Sequence, residues 1–362
     1  MLPPNTSLPG RSIWDGLGRE TFERHVHALS RTGTVPDPVV LKEEDWPKSS
    51  HWDILPFAVE KQLADDLAFI AACEYGVGYV TAATAAPATG EAGMTVRLAA
   101  NEGVCDSVER AMQAVFRILE RCAGKSISRE CCAEAIFDAV VNLNFNRIQG
   151  RLASRFFRPP PHKRGTPRKP LADRVRGHIA SSKPIKRLSE TSKDFATLFT
   201  QANAFHASFV QLESSKDADK TEATKTVIRQ AFLLTVDGVS LPSRLKRIGY
   251  PASMVDTRDV RGVNKVANYW RICNSLAHFS RFYRTLFRKL HLERLEAYQP
   301  LCTPLKKFVH AKVQMVVLYE TSLLSTWPRV IGASKEACFL CNSFIKSHGS
   351  FYMLKAHRQI FP

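Results

Sequence analysis

The sequence predicts an α/β fold rich in helix, and three observations carry that prediction. Apolar residues keep helical spacing over about 106–148, 189–213, 219–236 and 264–298. One hairpin pattern breaks the helices, with Gly78–Ala85 facing Met94–Ala100 across a turn that holds Pro and Gly. The closing stretch then alternates helix, strand, helix and strand through "VHAKVQMVVLYETSLL", "PRVIGA", "SKEACFLCNSFIKSH" and "SFYMLK".

In chain order, residues 1–55 read as a Pro-rich irregular segment, with Trp14 and Trp46 as anchors onto a larger body. Residues 56–154 read as a helical region that contains the hairpin at 78–101. Asp106 and Glu109 have the spacing of a capping box, and Val108, Met112, Val115 and Leu119 form the apolar face behind it. A second helix is expected over about Ser128–Ile148. "AGKS" at 123–126 ends like a phosphate-binding loop, but the position of its first glycine holds Leu119 and a helix precedes it, which excludes the motif.

Residues 155–187 read as a flexible basic linker, too rich in Pro and charge to bury much apolar surface. Between Arg151 and Arg187 twelve Lys and Arg face the single acid Asp173, so this stretch holds +11 of the net +17. It reads either as a solvated linker or as an electrostatic tether to RNA, DNA or anionic lipid. Residues 188–300 read as a helical insertion. There Ile272, Leu276, Phe279, Tyr283, Leu286 and Leu290 form one stripe, with Arg281, Arg284 and Arg288 on another face. Aromatics beside arginines stack bases in some proteins, while an apolar stripe with a wet basic back is the commoner design.

At 362 residues with 44% apolar content, the chain has ample core for one large domain or two ordinary ones. No run reaches the eighteen or so apolar residues of a membrane span. The first residues lack the pattern of a secretory leader, and nine cysteines do not form a dense even framework. An intracellular location, cytoplasmic or nuclear, is the expectation.

The segment 301–362 carries the chemistry. His310 opens one helix, and Cys338 and Cys341 lie on one face early in the next. A helix N-terminus favours thiolates, and three protein ligands leave a fourth zinc position open. On its own a C-x-x-C with a distant histidine is weak, because buried cysteines also pack as small apolar residues. A working enzyme, a silent metal site and no metal site all stand at this point.

The order of helix, strand and helix around these residues resembles the zinc-dependent cytidine deaminase superfamily, whose signature is H-x-E followed by C-x-x-C. More narrowly, "FVHAKVQMVVLYE…PRVIGASKEACFLCNSFIKSHGSF" is similar to a nucleic acid or nucleotide deaminase-like family of fungi and rickettsia-like bacteria, over about 260–360. The resemblance implies a three-layer deaminase-like sheet with "VTAATA…TVRLAANEG" as its opening hairpin and the intervening helices as an insertion. It implies zinc held by His310, Cys338 and Cys341, and Asn101 as a substrate contact. It also implies nucleotide or nucleic acid as partner, and further strand or helix beyond "SFYMLKAHRQIFP".

Two positions depart from that family. Ala337 replaces a proline, which matters little at a helix start. Lys312 replaces the glutamate that moves protons between water and base, and a charged lysine has no acceptor. At about 5 Å and an effective dielectric near 20, a unit charge there meets each neighbouring unit charge with about 3 kcal/mol. Glu320 lies about 12 Å further along the helix, which leaves Glu336 as the one nearby acid that could substitute. His348 and His357 read as surface or helix-end histidines. The chain is therefore expected to be an impaired deaminase-like protein that binds a nucleotide, nucleic acid or partner. Two alternatives are an active deaminase and a helical interaction module with an empty metal site.

Overall fold

The computed structural model describes residues 18–31, 39–47, 54–88, 92–160, 168–180, 193–235, 240–297, 308–322, 324, 326–353 and 355–357. The described elements begin with helix α1 (Arg19–Arg31), strand β1 (Val39–Val40), α2 (Phe57–Ala71), β2 (Thr81–Pro87) and β3 (Met94–Ala100). Helices α3 (Asp106–Ala123), α4 (Arg129–Leu143), α5 (Phe145–Leu152), α6 (Leu171–Ala180), α7 (Lys193–Ser214) and α8 (Lys220–Leu233) follow. Then come α9 (Leu241–Ile248), α10 (Ala252–Val255), α11 (Arg258–Phe282), β4 (Leu290–Arg294), α12 (Ala311–Thr321), β5 (Gly332–Ala333), α13 (Phe339–His348) and β6 (Lys355–Ala356). The fold is α/β and rich in helix. No described helix is long and apolar enough to cross a membrane.

One four-stranded mixed sheet has the order β4-β3-β2-β5, and β1 and β6 form a separate antiparallel pair. The expected hairpin forms in register from Thr81↔Ala100 to Pro87↔Met94. Its strands are rich in alanine, which lets helices lie close on both faces. Ala83, Ala85 and Leu98 pack into the core shared with Leu63, Leu67 and Ile70 of α2. Ala82 and Ala99 pack into a second cluster with Met315, Val316 and Tyr319 of α12. The sheet is therefore a middle layer between α2 and α12.

Helix α2 ties the C-terminal segment down through polar groups. Glu60, 5% exposed, accepts from the Arg329 backbone at 2.6 Å, from Arg329 Nε at 2.7 Å and from the Val330 backbone at 3.2 Å. Asp65 Oδ1 accepts from the Ala333 backbone at 3.2 Å, and Thr81 Oγ1 donates to Ala68 O at 2.6 Å. On its other side α2 meets the helical region, where Asp66 is clamped by both terminal nitrogens of Arg271.

Several expectations change. The basic stretch 155–187 is not a linker throughout: Leu171–Ala180 is helix, and Leu171, Ala172, Val175 and Ile179 are buried. Their i, i+4, i+8 spacing makes one apolar face, which the surrounding charge masks; 161–167 and 181–192 lie outside the described residues. Segment 1–55 contains α1, with Val26 buried. Trp46 meets Phe57 of α2 at 5.5 Å between ring centroids, whereas Trp14 lies outside the described residues. The second helix breaks at Asn144, whose Nδ2 bonds Ile70 O at 3.0 Å and Val140 O at 3.1 Å. Cys105 is the N-cap of α3, so Asp106 is not the cap of a capping box; it pairs instead with Arg294.

The largest change lies at 264–298. Helix α11 stops at Phe282, and Leu290–Arg294 forms β4, parallel to β3 with Arg97 opposite Glu293. Those two are an ion pair at 2.6 Å. Arg281 and Arg284 are not a free basic back: Arg281 Nη1 donates to Cys122 O at 3.2 Å and Arg284 Nε to Ala123 O at 2.8 Å. They cover the last carbonyls of α3, where a helix end favours cations. The strands expected at "PRVIGA" and "SFYMLK" shrink to β5, β6 and a parallel bridge between Val330 and Tyr352.

Candidate metal centre

Two helix starts build this site. His310 is the N-cap of α12 and Cys338 the N-cap of α13. The Cys338 thiol group takes the place of a capping hydroxyl: Cys341 N donates to its Sγ at 3.5 Å. One turn brings Cys341 onto the same side. His310 Nδ1 lies 3.0 Å from Cys341 Sγ and 3.5 Å from Cys338 Sγ, and the three ligand atoms all lie within 4.8 Å of one another. Both cysteines are buried and the histidine half-buried. The strand-like bridge beside them is set by Ala337 N donating to Lys355 O at 3.0 Å and His357 N donating to Ala337 O at 2.8 Å.

This donor set fits zinc. Tetrahedral zinc with bonds of about 2.0–2.3 Å separates its ligand atoms by roughly 3.4–3.8 Å, and the observed spacings need only small side-chain rotations to reach that. Two helix N-termini add positive potential. A hydrogen bond from Cys341, helped by His310 and the Cys341 amide, pulls the Cys338 thiol down to about 4 against burial. The shared hydrogen bond and burial push the Cys341 thiol up.

Lys312, one position into α12 beyond Ala311, is only 4% exposed. Burial lowers its ammonium from the ordinary lysine value, while Cys341 and Cys338 pull the other way. Two residues beyond His310 there is thus a buried amine within electrostatic reach of both thiols. Glu336 is exposed and faces a neighbouring cleft that Lys265 and Lys355 also line. His348 Nε2 meets Glu320 Oε1 at 2.7 Å, and its ring stacks on Phe351, which places it away from the ligand cluster.

Asn101 reaches the centre from the end of the hairpin. Its Oδ1 accepts from Ala311 N at 2.8 Å and its Nδ2 donates to Val77 O at 2.8 Å. Both polar ends hold backbone, which fastens the His310 turn to the end of the hairpin. Asn101→Ala is expected to lower stability by about 1–2 kcal/mol and zinc affinity by about 10-fold, the low end of outer-shell losses. Asn101→Asp, which keeps the acceptor for Ala311, should recover most of the affinity in a competitive chelator titration.

The sequence reading missed Gln314. Its Nε2 donates to Val309 O at 2.7 Å and Ala100 O at 3.2 Å, stitching the start of α12 to the end of β3. Its place one turn after His310, a polar residue inside an apolar helix, was the available signal.

Residues 309–362 match the model of a family described as OTT_1508-like deaminase. No curated protein and no solved structure matches the chain.

Proposed function

From a C-terminal segment of a deaminase-like family, we propose a zinc-binding deaminase-like protein whose hydrolysis is silenced and whose remaining role is to bind a nucleotide or nucleic acid. The observation that carries the reading is Lys312, buried two residues beyond His310 with Cys338 and Cys341 as electrostatic neighbours, a place that the family resemblance makes the acid/base position. Zinc in a three-ligand site supplies a Lewis acid with one open position. His310, Cys338 and Cys341 would hold it, and Asn101 and Gln314 keep the His310 turn in place. Hydrolytic deamination also needs a group that accepts a proton and returns it to the base and leaving ammonia. A protonated Lys312 has no acceptor, and no carboxylate stands on its turn of helix.

Metal analysis of the purified protein tests this. One zinc per chain is expected, falling to near zero in Cys338→Ser/Cys341→Ser. Chelation should lower the melting temperature of the wild type and leave that variant unmoved. Ammonia release by the wild type from cytidine, adenosine and single-stranded nucleic acids should stay at background. Absence of zinc would sink the metal reading, and zinc-dependent ammonia release would sink the silencing.

A further inference from the structure

A cleft of about 1080 Å³ lies beside the metal centre, between α2, the first half of α11 and the loop through Lys335 and Glu336. Arg258, Arg261, Lys265 and Arg271 line it from α11. Steps of three and four put the first three on one helical face, a row of about 10 Å along the axis, while Arg271 lies off that face and pairs with Asp66.

The acids of the cleft do not balance this row. Asp66 is held by Arg271, and Asp65 is shared between Lys61 at 3.3 Å and the Ala333 backbone. Arg261 has only the exposed Asp256 at 3.6 Å, and neither Arg258 nor Lys265 has an ion-pair partner among the described residues. Crowding by protein atoms, then the like charges of Arg151 and Arg261, lower the Lys265 ammonium from its ordinary value, with Glu336 opposing. Seven Lys and Arg line the cleft against the four acids Glu43, Asp65, Asp66 and Glu336, so net positive charge is concentrated here, and the cleft runs to the metal loop. Met353 lines the cleft and also packs against the Cys338 and Cys341 cluster.

We propose that this cleft binds single-stranded nucleic acid by its sugar–phosphate backbone, laid along α11 toward the metal loop. A single phosphate needs one focus of charge. Three cations spread over about 10 Å instead offer contacts to successive phosphates of one strand. The volume is slightly above that of small-ligand pockets, about 300–1,000 Å³, which leaves room for a few nucleotides of one strand. The choice of nucleic acid over other polyanions rests on the deaminase-like reading, because a base addressed at such a centre must leave its duplex. The basic segment around 155–187 is then not the principal contact.

Fluorescence anisotropy with a labelled single strand of about 12 nucleotides, within the usual site size of such grooves, tests the cleft. Arg258→Ala/Arg261→Ala/Lys265→Ala removes three exposed cations and should weaken binding on the order of tenfold or more. It should also flatten the salt dependence by about two, at roughly 0.7 per phosphate contact. A control removes the exposed Lys216, Lys246 and Lys346, none of which lines the cleft, and should bind like wild type. Circular dichroism should show both variants folded. Equal weakening by the control, wild-type affinity in the cleft variant, or tighter binding of a duplex would each overturn the proposal. Zinc content on the same samples separates the two readings. Strand binding without zinc fails the deaminase-like reading alone, and zinc with an unaffected cleft variant fails the cleft alone.

Discussion

Lys312→Glu is expected to make ammonia release measurable, about 10²–10⁴-fold above the wild-type level, the usual contribution of one positioned acid/base group. The position is buried at 4% exposure, two residues beyond His310 on the first turn of α12. A carboxyl there gains the acceptor that lysine lacks. Burial would raise its pKa toward neutrality, where an acid/base group works best. The exchange also removes the lysine amine from beside the candidate zinc site, where a unit positive charge would meet each unit charge with about 3 kcal/mol at about 5 Å and an effective dielectric near 20. Zinc affinity should therefore rise in Lys312→Glu and also in Lys312→Met, while only the former releases ammonia. Equal activity in all three proteins would show that Lys312 never was the block. A zinc-loaded Lys312→Glu that stays silent would place the defect in the base pocket.

Gly332→Ala is expected to lower stability by about 3 kcal/mol, the upper end of overpacking costs, read as a lower urea midpoint at unchanged slope. A Cβ at this position would lie 2.2 Å from Ala64 C, 2.4 Å from Asp65 N and 2.5 Å from Ala64 O. These are backbone atoms in the middle of α2 and cannot rotate aside. The helix and β5 would have to part, loosening the Asp65 bond to Ala333 and the Glu60 grip on Arg329 and Val330. Because β5 feeds the loop to Cys338, zinc affinity should fall with stability. A variant as stable as wild type would mean that α2 does not seat on β5 this closely.

How much of this was legible in the sequence follows from what each residue has to do. The clustering of His310, Cys338 and Cys341 could be read because few residue types suit a metal and helix starts restrict place. The hairpin was legible from its turn and its small and β-branched residues. Strand β4 was not, because Leu286 and Leu290 continue the helical stripe of α11 by chance spacing. What makes Leu290–Arg294 a strand is the open edge of β3, roughly 190 residues earlier in the chain. Arg281 and Arg284 looked available because the carbonyls they cover belong to α3, and α6 was hidden by the charge on either side of its apolar face. Asn101 could be placed near the centre, but that both ends of its amide hold backbone is a fact of three dimensions.

The pairing of β2 with β5 joins Ala82 to Ala333 and Ala83 to Gly332, roughly 250 residues apart. A ribosome adding about 5–20 residues per second needs tens of seconds to span that distance. Through that interval the nascent chain holds β2 with its far edge unpaired, the condition under which strands of neighbouring chains join. "TAATAAP" is poorly suited to such joining: alanine forms strands weakly and offers little apolar surface, and Pro87 blocks its end. The same alanines that admit α2 and α12 to the finished sheet thus keep its waiting edge quiet during synthesis.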